Sequence, residues 1–306
     1  MPEAIVDAAN DKPQVINLSL GGGILSTAEQ KAIEYALQQG CIIVGAAGNS
    51  FDSETIYPAA LPGVISVGAV DSTGMKTVYT TVHSTVDIVA PSGMATTTVL
   101  PFADTPRGFE RNVPWYEDSF NGTSGASPHV AGIIVLMLQA LAINEFNIAN
   151  HSLSYDEMLL LLQKSAVDIS DKSVYSTGLL GAGMANAPAA VIGTSQYGVL
   201  RDILDIVDTY LAGGVSRDKM VLQINDKLKK IELISEKAVD KGISREKILF
   251  EPEFATQIAQ IVDRGGSKDE IHTKILFHLF KEVNDPHIIA AAGVALEHVD
   301  SRAFFK

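Results

Sequence analysis

The sequence predicts an α/β fold, a doubly wound parallel sheet, followed by a small all-α C-terminal domain. Three observations lead there. Short β-rich runs alternate with helical segments through the first part of the chain, the pattern of layered α/β proteins. One of these runs, Cys41 to Ala47, is apolar throughout, as in a strand covered on both faces of a parallel sheet. The charge density then changes: residues 1–192 hold 7 Lys/Arg and 18 Asp/Glu, whereas residues 193–306 hold 16 and 18. A sparse acidic part followed by a densely charged, near-neutral part predicts a domain boundary near Gly193-Thr194-Ser195.

The elements follow in order. Val15 to Leu20 is a β-rich run that exits sharply through Gly21-Gly22-Gly23. Ser26 and Glu29 have capping-box spacing and open a helix through about Gln39, which Gly40 stops. Cys41 to Ala47 is the next strand, so strand, helix and strand form a βαβ unit. Val64 to Val70 and Val86 to Ala90 are two further strands, the second closed by Pro91. Ser92 to Ser119 reads as irregular, with Pro101, Pro106, Gly108, Pro114 and Trp115, and either borders a substrate cleft or is an exposed insertion. Ile133 to Leu141 reads as a buried helix. Ser154 and Glu157 make a second capping box before Met158 to Gln163.

The tail reads as about four or five helices. Ser216 caps one that carries Met220, Ile224, Leu228, Ile231 and Ile234 on one face. Gly265-Gly266 ends the next, and Ser267 with Glu270 opens another carrying Ile271, Ile275, Leu279 and Val283. Asp285-Pro286 starts a last one. Their apolar faces serve either an internal core or a docking role.

Composition narrows the function classes. With 46% hydrophobic and 19% charged residues, the chain is that of a core-forming globular protein. A net charge of −13 argues against nucleic acid as a partner. No apolar run of about 18 or more residues reads as uninterrupted by charge, so no membrane span is expected. The first residues, Met1 to Asp7, lack the basic and apolar regions of a signal peptide. The single cysteine, Cys41, excludes an internal disulfide.

Chemistry concentrates at Asn121-Gly122-Thr123-Ser124-Gly125-Ala126-Ser127-Pro128-His129-Val130-Ala131-Gly132. A turn of small residues there runs into the long apolar segment. Ser124 falls where a loop becomes a helix, close to free N–H groups and the positive dipole end. Such a place suits a nucleophile, because developing negative charge meets donors already in position; it also suits a plain helix N-cap. Asn49 follows the strand ending at Ala47 and so lies at a carboxyl end, where open α/β sheets place their sites. Its amide can donate to an oxyanion; it is equally at home in a turn.

Taken together, these stretches resemble the subtilisin-like serine proteases. Gly122 to Gly132 resembles the family's nucleophile motif, with Ser124 at the serine. Ala46-Ala47-Gly48-Asn49 resembles the oxyanion-hole motif, with Asn49 in that role. The resemblance implies that Ser19-Leu20-Gly21 and Ala46-Ala47-Gly48 are backbone walls of the primary specificity pocket, with substrate lying extended against the first. Those walls are mostly backbone, so they do not state which side chain is preferred. Tyr57 to Ala60, Val64 to Ala69, Val86 to Pro91 and Gly181 to Ala187 complete the similarity, which covers about residues 13–192.

The family's aspartate and histidine motifs have no match. None of the seven histidines is followed by glycine. His83 lies in a Ser/Thr-rich stretch between strands, His129 belongs to the nucleophile helix, and Asp71-Ser72-Thr73-Gly74 only faintly imitates the aspartate motif. The sequence therefore reads as the C-terminal part of a subtilase, with N-terminal strands lacking and a sheet edge left bare. Without a base, Ser124 keeps an ordinary hydroxyl, and the chain alone is expected to be inactive. Two functions follow. One is an endopeptidase completed by a partner that supplies the missing half and acting on peptide or protein substrates. The other is a catalytically inactive scaffold that binds a peptide or protein. Calcium is frequent in the family, but no dense carboxylate spacing occurs here, so no metal and no cofactor is expected.

Overall fold

A computed structural model describes residues 1–51, 53–97, 116–143, 153–172, 178–243, 252–267, 270–271 and 273–274. These form two compact units, Met1–Gly132 with Val167–Ala185, and Ile133–Ala166 with the residues from Asn186 onward.

The first unit opens with α1 (Pro2–Asn10), β1 (Val15–Leu18), α2 (Thr27–Gln38) and β2 (Ile42–Ala46); β3 (Val64–Val70) and β4 (Ile88–Pro91) follow. All four strands are parallel, in the order β1-β2-β3-β4. Every residue of β2 and β3 is buried, as their apolar composition predicts for strands covered on both faces. β1 alternates, with Ile16 and Leu18 buried and Asn17 exposed. Ile5 and Ala9 of α1, Ile33 and Ala36 of α2, and Ile16, Leu18 and Ile43 of the sheet share one apolar cluster. On the far side of β4, the Val89 N–H donates to the Gly183 carbonyl (2.9 Å), and the Val89 carbonyl accepts from Ala185 N–H (2.8 Å). No strand among the described residues pairs with the far side of β1.

α2 starts and stops where its end signals place it. The Ser26 hydroxyl accepts the Glu29 N–H at 3.1 Å, and Gly40, at φ +83°, turns the chain out of the helix. The reciprocal half of the expected capping box does not form. Glu29 is only 5% exposed and its Oε1 has no hydrogen-bond partner.

Two expectations change. The stretch from Ser92 to Ser119 is not wholly irregular: β5 (Met94–Thr97) and β6 (Tyr116–Phe120) form an antiparallel pair. Pro101, Pro106, Gly108, Pro114 and Trp115 lie outside the described residues. α3 (Thr123–Ile143) begins one residue before Ser124, where the sequence reading has a loop become a helix, and runs through the apolar segment from Ile133. Burial of Ala126, Ser127 and Val130 overrides the weak helix propensity of Gly125, Pro128 and Gly132. Within α3, Thr123–Ala142 is also long and apolar enough to cross a membrane by length and composition, and more than half of its most apolar stretch is buried inside the protein. The sequence expectation of no such segment is therefore corrected; a buried core helix has the same composition.

In the second unit, α4 (Tyr155–Ser165) carries the complete capping box expected at Ser154 and Glu157. α5 (Ala187–Leu211), α6 (Arg217–Asp240) and α7 (Pro252–Asp263) follow. The shift in charge density at residues 193–195 falls inside α5 and not in a linker. There the Thr194 and Ser195 hydroxyls donate to the Ala190 and Val191 carbonyls at 2.7 and 2.9 Å, so polar side chains are satisfied within the helix itself. In α6, Met220, Ile224, Leu228 and Ile231 are buried and Ile234 partly so. Lys227 pairs with Asp202 of α5 at 2.6 Å. Ile271 is buried, while Ile275, Leu279, Val283 and Asp285-Pro286 lie outside the described residues, as do His151, His272, His278, His287 and His298.

Candidate active site

Ser124 is the second residue of α3 and is partly buried. The turn before it depends on Gly122, at φ +90°, and on the Ser92 hydroxyl, which donates to the Gly122 carbonyl at 2.7 Å. The Ser124 carbonyl would ordinarily accept an N–H four residues on, but that residue is Pro128, which has none. The Ser19 hydroxyl donates to it instead, at 3.0 Å. In return the Ser124 hydroxyl donates to the Ser19 carbonyl at 3.1 Å. Ser19 is itself held by Asn17, whose Nδ2 donates to the Ser19 hydroxyl at 2.9 Å, and Asn17 Oδ1 accepts from the buried Ser127 hydroxyl.

Asn49 is brought to the same place by β2. Its Oδ1 accepts from the Thr123 N–H at 2.9 Å and from the Thr123 hydroxyl at 3.2 Å. The same hydroxyl accepts from Gly48 N–H at 3.1 Å. Fully buried Thr123 thus clamps the Gly48-Asn49 turn to the start of α3. With Oδ1 occupied, the amide is oriented and Nδ2 remains a donor on an exposed residue. Neither Asn49 Nδ2 nor the Ser124 N–H has a partner among the described residues. Two unengaged donors beside a serine hydroxyl can receive an oxyanion.

The two expected pocket walls flank this point. Gly22 and Tyr57 exchange backbone hydrogen bonds of 2.9 and 2.8 Å, tying the segment after Ser19-Leu20-Gly21 to residues 55–57. Ala47 N–H donates to the Val67 carbonyl at 2.9 Å and the Gly48 carbonyl accepts from Thr81 N–H at 3.0 Å, which fixes Ala46-Ala47-Gly48. Gly48 adopts φ +110°, a conformation suited to glycine.

None of the discounted groups approaches Ser124 by a hydrogen bond. His83 uses Nε2 with the Thr55 hydroxyl (3.3 Å) and Nδ1 with the Thr85 hydroxyl and N–H (2.9 and 3.1 Å). His129 is exposed on α3. Asp71 closes a turn in which the Thr73 hydroxyl, the Thr73 N–H and the Met75 N–H donate to its Oδ1 at 2.7, 2.8 and 3.0 Å. Those bonds, Thr73's first, hold its carboxyl below the ordinary aspartate range. Among the described residues no three His, Cys, Asp or Glu side chains group as metal ligands.

Sequence reading missed the supporting residues Thr123, Ser92 and Asn17. The proline four residues after Ser124 was the one local signal, since it leaves a carbonyl in need of a donor.

A parallel α/β sheet with a serine at a helix start and an asparagine amide locked beside it defines the class as a subtilisin-like fold. The model of the subtilase family, Peptidase S8, matches residues 1–183, and the chain belongs to that family. Subtilisin DY of Bacillus licheniformis is 36% identical over 170 residues, 54% of this chain and 54% of that protein. An extracellular protease of Xanthomonas campestris pv. campestris is 36% identical over 186 residues, 60% of this chain and 29% of the relative. A protease structure from Pseudoalteromonas arctica superposes with a TM-score of 0.51 at 26% identity, covering 63% of this chain and 58% of that one. The matched stretch thus spans about half or less of these curated relatives.

Proposed function

We propose that this chain carries the nucleophile and oxyanion donors of a subtilisin-like serine endopeptidase, and that a segment outside these 306 residues supplies the aspartate and histidine. The observation that carries this reading is the Thr123 clamp, which orients the Asn49 amide beside Ser124. In the completed site, imidazole takes the Ser124 hydroxyl proton as Oγ attacks the scissile carbonyl. The resulting oxyanion lies between Asn49 Nδ2–H and Ser124 N–H. Imidazole then protonates the departing amine, leaving an acyl-enzyme on Ser124 that water hydrolyses by the same proton route in reverse. Peptide lies extended along Ser19-Leu20-Gly21, and its side chain enters between that wall and Ala46-Ala47-Gly48. The edge of β1, unpaired by any strand among the described residues, supports docking of the added segment, since such an edge offers a row of N–H and C=O groups.

A second reading has its own support. The Ser124 hydroxyl donates to a main-chain carbonyl, and among the described residues no imidazole accepts its proton. On that reading the chain is a non-catalytic scaffold that binds a peptide or protein.

Co-expression with a polypeptide bearing the family's aspartate and histidine motifs separates the two. The peptidase reading predicts hydrolysis of an unstructured protein such as casein, abolished by Ser124→Ala. A stable complex without hydrolysis would favour the scaffold.

A further inference from the structure

One peptide group, that between Gly122 and Thr123, is held at both of its ends. Its N–H donates to Asn49 Oδ1 at 2.9 Å. Its carbonyl accepts the Ser92 hydroxyl at 2.7 Å and the Gly125 N–H at 3.0 Å, which fills the acceptor capacity of that oxygen. A peptide group is planar, so any turn of the carbonyl swings the N–H with it. Gly122 does little to resist such a turn, because it lacks a Cβ and stands at φ +90°. The Gly125 N–H belongs to the first turn of α3 and moves with that helix, whereas Ser92 is anchored outside it. The Ser92 N–H donates to the Val70 carbonyl of β3 at 2.9 Å, and the Gly93 N–H to the Phe120 carbonyl at 3.0 Å. β3 also holds Ala47, through the Val67 carbonyl at 2.9 Å. A closed ring of bonds therefore runs from Asn49 through the Gly122–Thr123 peptide, Ser92 and β3 back to the turn that carries Asn49.

We infer that Ser92 is a positioning residue for the oxyanion site: acting through the Gly122–Thr123 peptide, its hydroxyl sets the direction of the Asn49 amide without itself donating to the oxyanion. The inference rests on the peptidase reading, because only in that reading does the amide meet a developing charge. Removing the Ser92 hydroxyl frees the carbonyl end of the peptide, and the N–H at the other end then holds Asn49 Oδ1 less firmly. The Thr123 hydroxyl, 3.2 Å from the same Oδ1, keeps part of the grip. The loss should therefore be smaller than the roughly 10²–10³-fold that follows deletion of an oxyanion donor. Misplacement by about 1 Å costs up to about 10²-fold, so a partial misplacement should cost about 10-fold.

Ser92→Ala tests this in two measurements. In the full chain alone, amide hydrogen exchange followed by NMR should rise about 10-fold more at Thr123 than at the buried amides of β2 and β3. In the complex with a polypeptide bearing the family's aspartate and histidine motifs, Ser92→Ala should lower kcat about 10-fold and leave KM unchanged. Placed in an Asn49→Ala background, the same substitution should lower kcat no further, because the donor that it directs is gone. An equal kcat loss in both backgrounds, or a raised KM with kcat kept, is the mark of a merely structural residue and overturns the inference. So does an unchanged kcat, or an exchange rate at Thr123 that rises no more than those of the strands. A complex of the native chain that hydrolyses nothing overturns the peptidase reading itself, and the inference with it.

Discussion

Pro128 sits inside a helix, where its missing N–H would ordinarily be a defect. Here it leaves the Ser124 carbonyl free for the Ser19 hydroxyl, and so binds the backbone of the proposed nucleophile to the proposed substrate-binding wall. Thr123 does the corresponding work for Asn49. In the completed enzyme, Asn49→Ala should leave the fold intact and lower turnover about 10²–10³-fold, the cost known in subtilisin itself for losing this kind of donor; steady-state kinetics reads it. Gly125 is another residue with a tight requirement. An added Cβ there would lie 2.9 Å from the Ser92 hydroxyl and 3.1 Å from the Phe120 carbonyl. Gly125→Met should therefore cost about 1–3 kcal/mol by overpacking and lower Tm by roughly 2–4 °C per kcal/mol. An unchanged melting curve would show that β6 yields freely.

α2 illustrates what one element's sequence does and does not reveal. Its limits were legible, because Ser26 and Gly40 act through local backbone geometry. The fate of the Glu29 carboxylate was not, because its burial depends on the packing of α1 and the sheet. Burial raises its pKa above the ordinary value of 4.5, against a smaller lowering from the nearby chain terminus. The sign follows from linkage: a carboxyl raised in the folded state favours folding most when protonated, and that contribution is lost as pH climbs from 4.5 through the folded value. Glu29→Gln should thus be the more stable protein at pH 7, by about 1 kcal/mol for relief of an unpartnered buried charge. The gap should close below the ordinary value. Thermal melts at pH 7 and pH 4 check this, and an equal gap at both would contradict it. Strands β2, β3 and β4 were readable from apolar runs, whereas β5 and β6 were not, since Met94–Thr97, although it follows the Ser92-Gly93 turn, has no apolar run. The start of α3 was legible at Ser124, although Thr123 to Gly132 is rich in weak helix formers that burial makes helical.

At the scale of the molecule, membership of the subtilase family was legible because Ser124, Asn49 and both walls stand in short contiguous motifs. The boundary was less so. Charge density changes at residues 193–195, but one helix runs through them, because charge pattern reports which faces meet solvent and not where a backbone breaks. The central claim concerns the serine. It is poised, with its donors set, but has no base among the described residues. The direct measurement is labelling by a fluorophosphonate probe, located by mass spectrometry, with and without a polypeptide bearing the family's aspartate and histidine motifs. The account predicts no appreciable labelling of the chain alone and labelling at Ser124 in the complex, lost in Ser124→Ala. Rapid labelling at Ser124 by the chain alone, or none in a complex whose histidine is seen beside Ser124, would contradict it.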